Sequence, residues 1–69
     1  MEQIYSQLGR NVRKRRKALG LTQEQLGGKI GKDPREIREI EAGRRNVTIK
    51  TLHKLCQALQ VTADQLLSF

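Results

Sequence analysis

The stretch PREIREIE, residues 34–41, carries two guanidinium groups and three carboxylates within eight positions. Its spacing predicts a helix. Drawn at 100° per residue, Ile37, Ile40 and Glu41 cluster on one side, while Arg35 and Glu39 centre on the other with Arg38 and Glu36 at its edges. The chemistry open to that outer face is hydrogen bonding to the flat edges of bases. An arginine fork donates two hydrogen bonds to guanine O6 and N7, and a glutamate accepts from the cytosine N4 amino group. The competing reading is a solvated surface on which Arg35 and Glu39 pair at i,i+4, in the weaker order, for about 0.2–0.5 kcal/mol. Three acids also oppose an approach to phosphates, so the base-edge chemistry requires that some of them be engaged already.

Composition bears on what such a face can meet. The chain has 69 residues, with 14 Lys and Arg against 7 Asp and Glu, for a formal net charge of +7. In a domain this small, that balance predicts attraction to a polyanion, either nucleic acid or an acidic membrane surface. Hydrophobic residues make up 36% and aromatic residues 3%. A core must therefore come from Leu, Ile, Val and Ala, which suits packed short helices better than a sheet. A chain of this length buries only about 60% of its unfolded surface and is expected to form one domain, residues 1–69.

Cys56 and His53 are the single cysteine and the single histidine. They are too few for a disulfide or a structural metal site, so no metal and no cofactor are expected. His53 reads as a partly buried surface residue and Cys56 as core. With no phosphate-cradling glycine loop either, nothing is available for catalytic roles, and an enzyme is not expected. Met1 to Leu8 include Glu2 and other polar residues, unlike the apolar region of a signal peptide. No apolar run approaches the roughly 18 residues that cross a bilayer. A reduced, cytoplasmic protein without membrane contact is the expectation. A membrane-surface peptide would leave its apolar residues exposed, whereas here they form several stripes that a bundle would consume.

The elements that must position residues 34–41 are marked by their caps. Ile4, Leu8, Val12 and Leu19 share one arc of a first helix ended by Gly20, with Arg10, Arg13, Lys14 and Lys17 on a largely solvated opposite face. Thr22 and Gln25 make a capping box, and Leu21 and Leu26 a staple, for a second helix of about two turns closed by Gly31. Asp33 as N-cap, Pro34 at the first helical position and Glu36 at the third start the next helix, which buries Ile37 and Ile40 and stops at Gly43. Thr48 caps a fourth helix with Ile49, Leu52, Leu55, Cys56 and Leu59 on one face, stapled by Val47 and Leu52. Thr62 with Gln65, and Val61 with Leu66, start a short fifth. Nothing alternates like a strand, so the expected fold class is all-α, a compact five-helix bundle. The second and third helices, joined at Gly31 with Gly27 and Gly28 letting the backbones approach, make a helix-turn-helix over about 22–42.

The run LTQEQLGGKIGKDPREIREIEAGRRN, followed by LHKLCQALQVTADQLL, resembles the lambda-repressor-like (XRE or Cro) family from about Leu8 to Leu67, with the family's motifs in order and at its spacing. The shorter piece GRRNVTIKTL is similar to the segment after the recognition helix in controller proteins of restriction-modification systems. The resemblance implies a lambda-repressor-like bundle whose third helix enters the major groove of double-stranded DNA, with Arg35, Arg38 and Glu39 toward the bases. Pro34 stands where relatives often place a polar base-reading side chain, so that contact is either lost or replaced by apolar contact with a thymine methyl. Gln23 resembles the family's backbone-clamping glutamine, at a helix N-terminus where free amides and the dipole favour a phosphate oxygen. Arg44, Arg45 and Asn46 fall where the family touches the sugar-phosphate backbone, and Lys50 adds a further charge.

Glu41 matches the family glutamate that pairs with a first-helix arginine, here Arg16, at the margin of the first helix's apolar arc. With Glu36 in the cap of its own helix, only Glu39 would then face the groove unpaired. Gly27 and Gly28 depart from the usual alanine and larger residue, at about 1 kcal/mol of helix propensity each. The expected function is sequence-specific DNA binding by a small transcriptional regulator with no sensor domain and no small-molecule ligand. One reading helix touches few base pairs, so a homodimer on a two-fold operator is expected, with Val61, Leu67 and Phe69 left over from the core for its interface. The alternative is a protein-interaction module of antitoxin or adaptor type that uses the mixed-charge third helix on a protein partner.

Overall fold

The computed structural model describes residues 2–68, with side chains from Gln3 onward. Helices α1 (Glu2–Ala18), α2 (Gln23–Ile30), α3 (Pro34–Glu41), α4 (Ile49–Leu59) and α5 (Ala63–Leu66) follow one another, and no strand occurs among the described residues. The starts follow the cap chemistry. Thr22 and Thr62 each form a complete capping box, and Asp33 and Thr48 each accept from the backbone N–H three residues on. Pro34 sits at the start of α3, where its missing N–H costs nothing. Gly31 closes α2 at φ 73°, a left-handed conformation that a Cβ disfavours, and so turns the chain sharply into α3.

Leu8 and Val12 of α1, Leu26 and Ile30 of α2, Ile37 and Ile40 of α3, Leu55, Cys56 and Leu59 of α4, and Leu66 of α5 form one core. Helix α1 packs on α3, α4 and α5, while α2 packs on α3 and α4. Side chains of α1 also close the ends of later helices. Arg15 Nε donates to the Leu59 carbonyl at 2.9 Å, and Asn11 Nδ2 donates to the carbonyls of Leu66 and Ser68, both at 2.8 Å.

Three expectations change. Ile4 is exposed, because the first turn of α1 lies beside the polar loop after α3, where Tyr5 donates to Asn46, and meets no apolar helix. Ile49 is 85% exposed. It stands in the first turn of α4, roughly 80° from Leu59 at the centre of that helix's apolar arc. Gly27 and Gly28 also part company. A Cβ on Gly27 would lie 2.4 Å from the Lys32 carbonyl oxygen, so the bare backbone there permits the turn, whereas a Cβ on Gly28 would meet nothing.

A second close approach has no local sequence signal. A Cβ on Gly9 would lie 2.3 Å from the Ile40 carbonyl oxygen and 2.6 Å from that of Glu41, so α1 and α3 touch backbone to backbone. Gly28→Ala, on an exposed helical site, is expected to raise stability by about 0.5–1 kcal/mol. Gly9→Ala should lower it by at least about 1–3 kcal/mol, as overpacking does. Urea unfolding of the two variants checks the opposite signs.

Candidate nucleic-acid interface

The C-terminal end of α3 is fixed by a buried ion pair. Arg16 Nε donates to Glu41 Oε2 at 2.6 Å and Arg16 Nη2 to Glu41 Oε1 at 3.0 Å, with the two side chains 9% and 4% exposed. The pair takes two further hydrogen bonds locally. Arg16 Nη1 donates to the Leu21 carbonyl at 2.8 Å, and Gln23 Nε2 donates to Glu41 Oε1 at 3.1 Å. No buried side-chain nitrogen or oxygen among the described residues lacks a partner. A buried charge without such company would cost several kcal/mol. The Gln23 amide, expected on a phosphate, is therefore turned inward. Its backbone N–H, in the first turn of α2, belongs to the group of amides that a helix leaves without an internal partner.

With α3 held from behind, its other face is open. Arg35 and Arg38 are exposed, and Glu36, Glu39 and Pro34 are half-buried. Arg35 does not pair with Glu39. Glu39 is also not unpaired as expected, because Arg45 Nε lies 3.7 Å from its Oε1. Glu36 gives only its backbone N–H to the Asp33 cap, at 3.1 Å. Its carboxylate lies 3.6 Å from Lys32 Nζ and 3.8 Å from Arg45 Nη1. Of the loop residues, Arg44 and Arg45 are exposed, and Asn46 is exposed but accepts from the Tyr5 hydroxyl at 3.0 Å. Lys50 is exposed in the first turn of α4. The outer face of α3 and the loop after it thus form one surface, joined through Glu39 and Arg45, while behind it Gln23 ties the first turn of α2 to Glu41 at the end of α3.

The residues expected at an interface between copies are more scattered. Val61 packs against the core, Leu67 is 37% exposed, and Phe69 lies outside the described residues. Sequence reasoning missed Ile49, which lines an apolar groove of about 400 Å³ with Leu52, Cys56, Val61 and Ala63. Its place at the edge of the α4 arc was the available signal. Burial pushes the Cys56 thiol above its ordinary pKa, as suits a core side chain. No group of three or more His, Cys, Asp and Glu among the described residues is placed to hold a metal ion, and no helix there is long and apolar enough to cross a membrane.

A helix-turn-helix family model matches residues 12–66, which takes in α2, α3 and most of the core. The chain belongs to the helix-turn-helix family. It is 38% identical over 61 residues to the uncharacterized HTH-type transcriptional regulator y4dJ of Sinorhizobium fredii, covering 88% of this chain and 79% of that protein. Among solved structures, it is similar to the restriction-modification controller protein C.AhdI from Aeromonas hydrophila, at 34% identity and TM-score 0.86, covering 90% of this chain and 94% of the other. It is also similar to the P22 c2 repressor, solved in complex with a synthetic operator, at 33% identity and TM-score 0.83, covering 88% and 92% of the two chains. The chain is accordingly an all-α helix-turn-helix protein of the lambda-repressor-like type, in a family of transcriptional regulators rather than enzymes.

Glu41→Ala is expected to leave the Arg16 guanidinium buried without its anion and to cost about 3–5 kcal/mol of stability. Thermal and urea unfolding followed by circular dichroism measure this directly, and an unchanged transition would show that the pair does not hold α3.

Proposed function

We propose that residues 1–69 act as a sequence-specific, double-stranded DNA-binding transcriptional regulator, with α3 in the major groove. The observation that carries this reading is the way α3 is mounted: locked behind by Arg16 and Glu41, open in front through Arg35 and Arg38, and flanked by Arg44. Arg35 donates to a guanine edge, with Arg38 beside it, Glu39 accepts from a cytosine amino group, and Pro34 meets a thymine methyl. Arg44, Arg45, Asn46 and Lys50 bind backbone phosphates, together with the amides at the start of α2 around Gln23. The protein would work in the cytoplasm, where the DNA is, and regulate through its own concentration without a ligand or cofactor. The P22 c2 repressor's complex with a synthetic operator supports the same use of the fold here. The carboxylates of Glu36 and Glu39 on the outer face favour one other reading, a protein-interaction module, and DNA titrations separate the two.

If about 6–10 phosphates are neutralised per dimer, affinity falls by about 10³–10⁵ between 50 and 200 mM salt. Arg44→Ala should lower the salt slope by about 1 per protomer on every sequence, while Arg35→Ala relaxes preference at one base pair per half-site at about 1–3 kcal/mol. Mobility shifts over a salt series on a panel of duplexes read both effects. A flat salt response would favour the protein-partner reading.

The working unit in this proposal is a homodimer on a two-fold operator, its reading helices about one DNA turn, roughly 34 Å, apart. Copies carrying +7 each repel, which favours contact through surface without charge. The groove at Ile49, Leu52, His53, Cys56, Gln57, Val61, Thr62 and Ala63 has no Lys, Arg, Asp or Glu in its lining, and Ile49 stands at its rim. We place the second copy there, with Val61 shared between core and interface and Leu67 extending the contact. Ile49→Glu, on a side chain that the fold does not bury, should yield a folded monomer with weakened operator binding. Sedimentation of an unchanged dimer with full operator affinity would remove the groove from the interface.

A further inference from the structure

Arg45 has two claims on it. It lies in the loop proposed to grip phosphate, yet its guanidinium spans the two carboxylates on the outer face of α3, 3.8 Å from Glu36 and 3.7 Å from Glu39. We infer that Arg45 is a conditional phosphate clamp: it leaves Glu39 for the DNA backbone only where Glu39 finds a cytosine amino group to replace it. The inference rests on the placement of α3 in the major groove and adds a rule for when one contact forms.

The two carboxylates differ in what they lose when Arg45 departs. Glu36 keeps Lys32 at 3.6 Å. Among the described residues, Glu39 has Arg45 as its one cation within ion-pair distance, since Arg35 does not reach it. The pair is weak enough to exchange. Its separation is beyond a hydrogen bond, and the Arg45 and Glu39 side chains are 47% and 36% exposed, so water screens the attraction. In solution, Arg45 could therefore move to a phosphate with little loss. Against a duplex the balance changes, because the groove strips water from Glu39 and faces it with phosphates and base acceptors. A carboxylate left there without a donor is penalised both by desolvation and by like charge.

Two outcomes follow from one geometry. Where the base pair presents a cytosine N4–H₂, Glu39 accepts from it, and Arg45 is free to neutralise a phosphate. Elsewhere Arg45 stays with Glu39, and the complex forms with one fewer phosphate contact per protomer. The loop is built to allow either. The Arg44 backbone N–H donates to the Glu39 carbonyl at 3.0 Å, which keeps the next residue beside Glu39, while the Arg45 side chain remains exposed. The acid on the reading face thereby lowers affinity for unmatched DNA more than for matched DNA, and Arg45 carries the difference.

The test uses the full chain, an operator duplex selected from a random pool, and a random-sequence duplex of the same length. For wild type, the slope of log affinity against log salt should be steeper on the operator by about 0.9 per protomer, the value of one phosphate contact. Glu39→Gln should steepen the random-duplex slope by about 0.9 per protomer and reduce the operator preference by roughly tenfold. In an Arg45→Ala background, Glu39→Gln should leave the random-duplex slope where it was. Both side chains are exposed enough that the variants fold, which melting curves verify. A Glu39→Gln effect of equal size with and without Arg45, or none in either, would overturn the clamp, since the first is charge removal alone and the second is no coupling. A wild type that binds neither duplex would overturn the DNA-binding proposal itself, and the clamp with it.

Discussion

Arg16 and Glu41 bring opposite charges into the interior of a chain that has only 69 residues with which to build one. Each would lose several kcal/mol of hydration on burial, so the pair is tolerable only because each of its side-chain nitrogens and oxygens has a hydrogen-bond partner. The guanidinium meets a carboxylate through two hydrogen bonds and the Leu21 carbonyl through a third, and the carboxylate takes a further bond from Gln23. These partners come from α1, from the turn after it, from the start of α2 and from the end of α3. An apolar contact at the same place would have bound the helices as firmly. It would not have fixed their rotation and register, because dispersion attraction has no direction and a bidentate ion pair does.

Charge in this protein is divided between a fixed inner pair and a labile outer set. Glu41 is withdrawn from the reading face, which removes one of three acids from any encounter with a polyanion. Glu36 and Glu39 remain outside in contacts of 3.6–3.8 Å with Lys32 and Arg45. The same residue types, three acids within one short helix, thus serve opposite ends. Burial makes one contact permanent, and solvent makes the others exchangeable.

The parts of the fold legible in the sequence were those decided within four or five residues. Thr22, Asp33, Thr48 and Thr62 announce helix starts because a cap bonds a backbone N–H three positions away, and Gly31 announces a stop because a left-handed residue is needed at that spot. Contacts between helices were less readable. Nothing near Gly9 shows that the Ile40 and Glu41 carbonyls pass beside it, and Gly27 and Gly28 look alike until the path of Lys32 is known. The Arg16 partner was legible through the family resemblance together with its position at the margin of an apolar arc. The inward turn of Gln23 and the reach of Arg45 to Glu39 depend on side-chain directions across a turn, which residue spacing does not encode. Ile49 belonged by period to the α4 stripe, but the first turn of that helix lies beyond what the core covers.

The placement of α1 has a consequence for how the protein comes apart. Its Asn11 and Arg15 close the carbonyl ends of α4 and α5, its Arg16 neutralises α3, and its Leu8 and Val12 enter the shared core. No subset of the five helices keeps both its apolar face covered and its polar ends satisfied once α1 is gone. Melting that reaches α1 has no smaller folded unit at which to stop, so its loss is expected to take the domain in one all-or-none step. The innermost amides of α2 and α3 are then expected to exchange with solvent largely through opening of the chain as a whole. On that expectation the helix that presents Arg35 and Arg38 draws its persistence from the whole domain, although it is only eight residues long and most of one side faces water.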